Sequence, residues 1–145
     1  MIKELYSAFE ELNAGLDRLI IAVKEKRVAL IERNSEMLDR ITRNEESLIA
    51  IINKIERRRL ETVKSILGIS ELPKKFNFDL FYDKLSGEIP AEISDSLKKL
   101  RENVKTKAKE IREINKQNFA LIESSREFIK MLFQNLQGDK QSFVV

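Results

Sequence analysis

The sequence has no cysteine and no histidine. The first absence removes disulfide frameworks, thiolate metal sites and cysteine nucleophiles. The second removes the commonest general base and the commonest metal ligand. Glycine and proline are scarce, four and two in 145 residues, whereas a sandwich or barrel needs a turn signal roughly every 8–12 residues. No uninterrupted apolar run is longer than Leu19 to Val23, far short of the roughly twenty residues that span a bilayer. The opening Met1-Ile2-Lys3-Glu4-Leu5 is amphipathic and carries an acid by its fourth position, unlike a signal peptide. Neither charge sign dominates, since 27 Lys and Arg against 24 Asp and Glu leave a net +3. Together these absences predict a soluble, cytoplasmic, all-α protein without membrane insertion.

Apolar residues make up 42% of the chain and charged residues 35%, which suits a helical core with a solvated exterior. The length fits one helical domain over 1–145. Leu5, Phe9, Leu12, Leu16, Leu19, Val23, Leu30, Met37, Ile41, Leu48, Ile52, Ile55 and Ile66 recur mostly in steps of three, four or seven. That seam predicts a long helix over 2–67 facing one partner, interrupted at Lys26, Asn34, Glu45 and Arg59. Asn34-Ser35 could instead cap a second helix and fold the segment in two. Neither Gly nor Pro accompanies the pair, so a continuous helix is the expected reading.

Gly68 suits a helix C-terminus and opens a connector over 68–90. Within it, Asp79 reads as the cap of a short helix ending at Ser86. Phe76, Phe78, Leu80, Phe81, Tyr82 and Leu85 read as a hydrophobic plug closing the end of a helical hairpin. Gly87 and Pro90 precede a second long helix over 91–136, with Glu92 and Asp95 complementing its dipole. Its seam is Ile93, Leu97, Leu100, Val104, Ala108, Ile111, Ile114, Asn118, Leu121, Ser125, Phe128 and Leu132, and 137–145 is a tail. Two long helices with a short connection should lie antiparallel. The expected architecture is a long antiparallel helical hairpin or coiled coil with a short connecting helix. Its first arm should overhang the second by about 30 Å.

Catalytic readings fail on residue type. Glu10-Glu11, Glu45-Glu46 and Glu110 with Glu113 are the nearest approach to paired carboxylates, but a helical di-iron site needs Glu-x-x-His on two helices. The glycines at 15, 68, 87 and 138 are too scattered to cradle a phosphate. The expectation is therefore no enzyme, no cofactor and no metal.

Two features of the second helix bear on binding. Lys98, Arg101, Lys105, Lys109, Arg112 and Lys116 step by 3, 4, 4, 3 and 4 along one edge. The plainer reading is a charged coil flank pairing with carboxylates of a neighbouring helix; the sharper one is a docking edge for an acidic partner. Nucleic acid is disfavoured, because no aromatics interleave with these cations and Glu102 and Glu113 sit beside them. Past Asn118 a second apolar stripe runs beside the seam: Phe119, Ile122, Ile129, Phe133 and Leu136. A two-helix coil cannot bury both stripes. Either the start of the first helix folds over it, a homodimer covers it, or another protein's amphipathic helix docks there.

Two blocks of sequence resemble the FlgN-type flagellar export chaperones. The stretch Glu25 to Ile69 resembles that family's first half, a long acidic-basic helix with a central Asn and a closing L-E-x-x-R, here Ile55-Glu56-Arg57-Arg58-Arg59. The stretch Ile114 to Gly138 is similar to its closing L-N-x-x-N-x-x-L-I helix, matched by Asn115, Asn118, Leu121 and Ile122. The chain departs from the pattern in its aromatic connector and in its Ser142-Phe143-Val144-Val145 end. The resemblance implies a cytosolic chaperone of the flagellar type III secretion apparatus. Such a chaperone holds the amphipathic terminal helices of hook-associated proteins and passes them to an export-gate component. On this reading Phe119, Ile122, Ile129, Phe133 and Leu136 contact the partner, while Leu97, Leu100, Val104 and Ile111 are structural. The competing expectation is a homodimeric coiled-coil scaffold whose second stripe is its own dimer seam.

Overall fold

A computed structural model describes residues 1–137; towards the end of α4 the side chains of Ser125, Phe128, Ile129, Leu132, Phe133 and residues 135–137 lie outside the description, as does the expected tail over 138–145. The chain is all-α, with α1 at Ile2–Glu32, α2 at Ser35–Leu67, α3 at Phe78–Ser86 and α4 at Ala91–Gln137.

The continuous helix expected over 2–67 is two helices. Arg33 adopts a left-handed conformation at φ 55°, and the Asn34 amide donates back to the Ala29 carbonyl at 3.0 Å, which closes α1 as a glycine would. Asn34 then caps α2, its Oδ1 accepting from the Met37 amide at 3.1 Å. The hairpin is therefore built by α1 and α2. A glycine stop of the same kind ends α2, where Gly68 sits at φ 69°.

The seam Leu5, Phe9, Leu12, Leu16, Leu19 and Val23 is buried as expected. A second buried row, Ala8, Gly15, Ala22 and Ala29, repeats every seven residues on α1. With so little side chain on this row α2 can lie close: a Cβ built on Gly15 would stand 3.0 Å from Ile52 Cγ1. Glu11 with Arg58, and Lys26 with Glu45 at 3.4 Å, pair across the same two helices, fixing them antiparallel.

α4 packs on the other flank of α1 and runs parallel to it. Asn13 donates to the Leu100 carbonyl, Lys107 meets Asp17, Lys24 meets Glu110 and Arg27 donates to Gln117, so both numberings climb together. The antiparallel expectation holds against α2, the helix that enters the connector, and fails against α1. The overhang is accordingly at the opposite end from the one expected. Arg27 is level with Gln117, so α1 stops about level with Ile122, and α4 continues for about 22 Å beyond it.

α3 lies across the end where α1 begins. Its cap is Asn77, whose Oδ1 accepts from the Leu80 amide at 3.0 Å, and not Asp79. Phe81, Tyr82 and Leu85 are buried beneath it, with the Phe9 and Tyr82 rings edge to face at 5.5 Å. The aromatic cluster thus closes the open end of the hairpin.

Candidate functional site

Among the described residues, the far end of α4 exposes the large apolar side chains Phe119 and Met131. The helix passes the α1–α2 turn and continues to Gln137. Of the five residues expected to contact a partner, Phe119 is 64% exposed and Ile122 is half-buried. The side chains of Ile129, Phe133 and Leu136 lie outside the description. Met131 on the same stretch is 52% exposed. The start of α1 does not cover this region, since Ile2 and Tyr6 lie beside Ile93 and Ser96 at the other end of α4.

Sequence reasoning missed that α1 contributes apolar surface here as well. Ile31 in its last turn is 63% exposed and Val28 43%, while Ile21, 58% exposed, lies lower, about level with Ile111. Ile21 and Val28 are seven residues apart and off the main seam, which was a legible signal once α1 was known to stop at Glu32.

The interface that aims α4 combines buried apolar side chains, Leu97, Ile111 and Ile114, with one buried amide from each helix. Asn13, 7% exposed, donates to Phe9 and Leu100 carbonyls at 2.9 and 3.1 Å and accepts from Lys107 at 3.0 Å. Asn118, 3% exposed, donates to the Val23 carbonyl at 3.1 Å. Each helix thus sends one amide into the other's backbone. A buried asparagine in an apolar seam costs stability but allows one register, here fixing how far α4 projects. Asn118 is the last fully buried residue before the projecting segment whose side chain is described.

The root of α4 is held by Tyr82. The Tyr82 hydroxyl accepts from Arg59 Nη1 at 2.7 Å, and the Arg101 guanidinium lies 4.3 Å from the centre of its ring. One side chain of α3 therefore ties α2 to α4. Burial raises the Tyr82 pKa and outweighs the opposing charges of Arg59 and Arg101, so the phenol stays protonated. For Arg59 burial works to lower the pKa, but the hydrogen bonds and charge of Glu56 together with Tyr82 raise it overall.

Asp79 completes this root, accepting from Lys105 at 2.7 Å and Arg101 at 3.0 Å. The hydrogen bond from Lys105, with the charges of both cations, holds its carboxyl below the usual aspartate range. A depressed folded value gives stability that is present above the unfolded pKa of about 3.9 and fades as pH falls through the folded one. Asp79→Asn should therefore be less stable than the natural chain at pH 7. The two should converge once the pH is low enough to protonate the folded carboxylate, a difference that urea unfolding at pH 7 and in acid would reveal.

Among the described residues no acidic cluster is arranged to hold a metal ion, and no helix is long and apolar enough to cross a membrane. Comparison with curated proteins and with solved structures gave no match. The family described as FlgN protein matches residues 1–144, nearly the entire chain and both of the blocks that suggested it. The chain belongs to the FlgN family of flagellar export chaperones.

Proposed function

We propose that this chaperone binds the amphipathic terminal helices of hook-associated proteins along the projecting end of α4. It keeps those helices from assembling early and presents them to a component of the export gate. The observation that carries the reading is the projection itself: about 22 Å of helix beyond the α1–α2 turn, bearing two apolar stripes in sequence and an exposed Phe119 at its base. An apolar helix face of that length is complementary to an amphipathic helix, which buries its own apolar stripe in the same contact. Ile31, exposed where α4 leaves α1, extends the surface so that a client helix need not end with α4. The absence of His and Cys from the sequence suits a protein that acts by masking surface.

Titration of the full chain with a peptide of a hook-associated protein's terminal helix, followed by calorimetry, tests this. Phe133→Asp should weaken binding about 100-fold or more, the scale of losing an aromatic anchor and burying a charge in its place. Its melting temperature should stay within about 2 °C of the natural chain, because the substitution lies beyond the packed bundle. Unchanged affinity in a folded variant removes Phe133 from the site. Absence of any binding to the terminal helices removes the reading.

A further inference from the structure

The six cations Lys98, Arg101, Lys105, Lys109, Arg112 and Lys116 share one edge of α4. Pairing with a neighbouring coil would have explained them, but the contacts to α1 are made by Lys107 and Glu110 instead. The edge therefore faces away from α1. Only Arg101 and Lys105 are matched from another helix, and both share the single carboxylate of Asp79. Lys116 comes no nearer than 3.9 Å to Glu113 on its own helix, and both are more than half exposed. Lys98, Lys109 and Arg112 stand exposed without an ion pair to any described residue. Three residues beyond Lys116 the edge reaches the exposed Phe119.

Residues three and four apart on a helix are about 5–6 Å from one another, closer than the Debye length of about 8 Å at physiological salt. The charges of the edge are therefore not screened from each other, and they sum to a positive strip about 30 Å long. We propose that the five exposed cations of this strip, Lys98, Lys105, Lys109, Arg112 and Lys116, dock an acidic, amphipathic helical segment of a protein partner, with carboxylates spaced to match them and one apolar side chain resting on Phe119. Arg101, its side chain 11% exposed and paired with Asp79, is the anchor of the strip and not part of its docking face. Nucleic acid fits less well: no aromatic interleaves with the six cations to stack a base, and Asp79, Glu102 and Glu113 flank the strip. The strip and the projecting client surface share only Phe119, so each stands or falls without the other.

The test uses the full chain and two Glu-rich helical peptides of equal length and composition. One carries Glu at spacings of 7, 4, 3 and 4, the steps between the exposed cations, with a Leu placed to meet Phe119; the other is scrambled. Fluorescence anisotropy should show the matched peptide binding about 10-fold more tightly than the scrambled one, and more weakly as salt is raised. Lys109→Glu with Arg112→Glu should cost the matched peptide about 10-fold or more, while binding of the hook-associated terminal helix is unchanged. Lys109→Gln with Arg112→Gln, which only removes charge, should give a smaller loss in the same direction. Equal binding of the two peptides, undiminished binding by the charge-reversed variant, or tighter binding of a single-stranded oligonucleotide than of the matched peptide would each overturn the proposal.

Discussion

Tyr82→Ala should destabilise the protein by about 4 kcal/mol, the range seen when a large buried aromatic is cut to alanine. Tyr82 is 3% exposed and meets the three other helices at once. Its ring packs against Phe9 of α1 and Phe81 of α3 at 5.5 and 5.1 Å. Its hydroxyl accepts from Arg59 of α2, and Arg101 of α4 covers its face. Truncation leaves a cavity and also strips two largely buried guanidiniums of a partner. Each retains one carboxylate, Glu56 for Arg59 and Asp79 for Arg101, so neither charge is stranded and the loss stays near the cavity value.

A thermal melt should fall by roughly 10–15 °C for a chain of this length. Tyr82→Phe separates the contributions: the ring stays, one hydrogen bond to a charged donor goes, and the cost should be about 1–2 kcal/mol. If the two variants melt together, the hydroxyl and not the packing ties α2 to α4. If neither moves the melt, α3 is an ornament on the bundle.

Gly15→Leu should cost about 3 kcal/mol, although leucine is the better helix former by about 0.8 kcal/mol. The gain is local, and the loss lies between helices. A Cβ at this position would already stand 3.0 Å from Ile52 Cγ1, and the flanking rungs Ala8 and Ala22 are 0% and 1% exposed. Three further carbons have nowhere to go unless α2 moves off α1. Gly15→Ala is the control. Its single methyl needs only a small shift of the flexible Ile52 side chain, so the helix gain and the contact cost should nearly cancel. Chemical denaturation of the three chains measures both differences; a Leu variant as stable as the natural chain would show that α1 and α2 are not held close by that row.

The buried seam of α1 was legible because a period of three and four can be satisfied only by a helix with one covered face. The helix break was harder to read. Its stop is made largely from backbone groups, the Asn34 amide and the Ala29 carbonyl, and its left-handed residue is Arg33, a type that carries no such signal. Asn34 was a visible cap, but a cap without Gly or Pro beside it is common inside charged coils. That one misreading displaced the rest: with α1 and α2 taken as one arm, α4 had to be antiparallel to all of it and the overhang had to fall at the start of α1.

For the candidate site, the doubled stripe after Asn118 was in the sequence, whereas how far α1 runs beside it depended on where α1 ends. Ile21, Val28 and Ile31 went unnoticed because isolated exposed apolar residues are ordinary on any helix. The basic edge was equally plain in sequence. That it turns away from α1 follows from Lys107 and Glu110 taking the contacts to that helix, which spacing alone cannot tell.

By itself the sequence determined an all-helical chain, the faces of its helices, the lack of His and Cys chemistry, and the family, because these depend on residue type and local period. Only the tertiary structure decided which helices pair, that α1 and α4 run in one direction, and which end projects. Those are set by two amides buried in opposite backbones, by a row of small residues and by one tyrosine. The contacts they make between helices are 19 to 95 residues apart, a separation that no local pattern encodes.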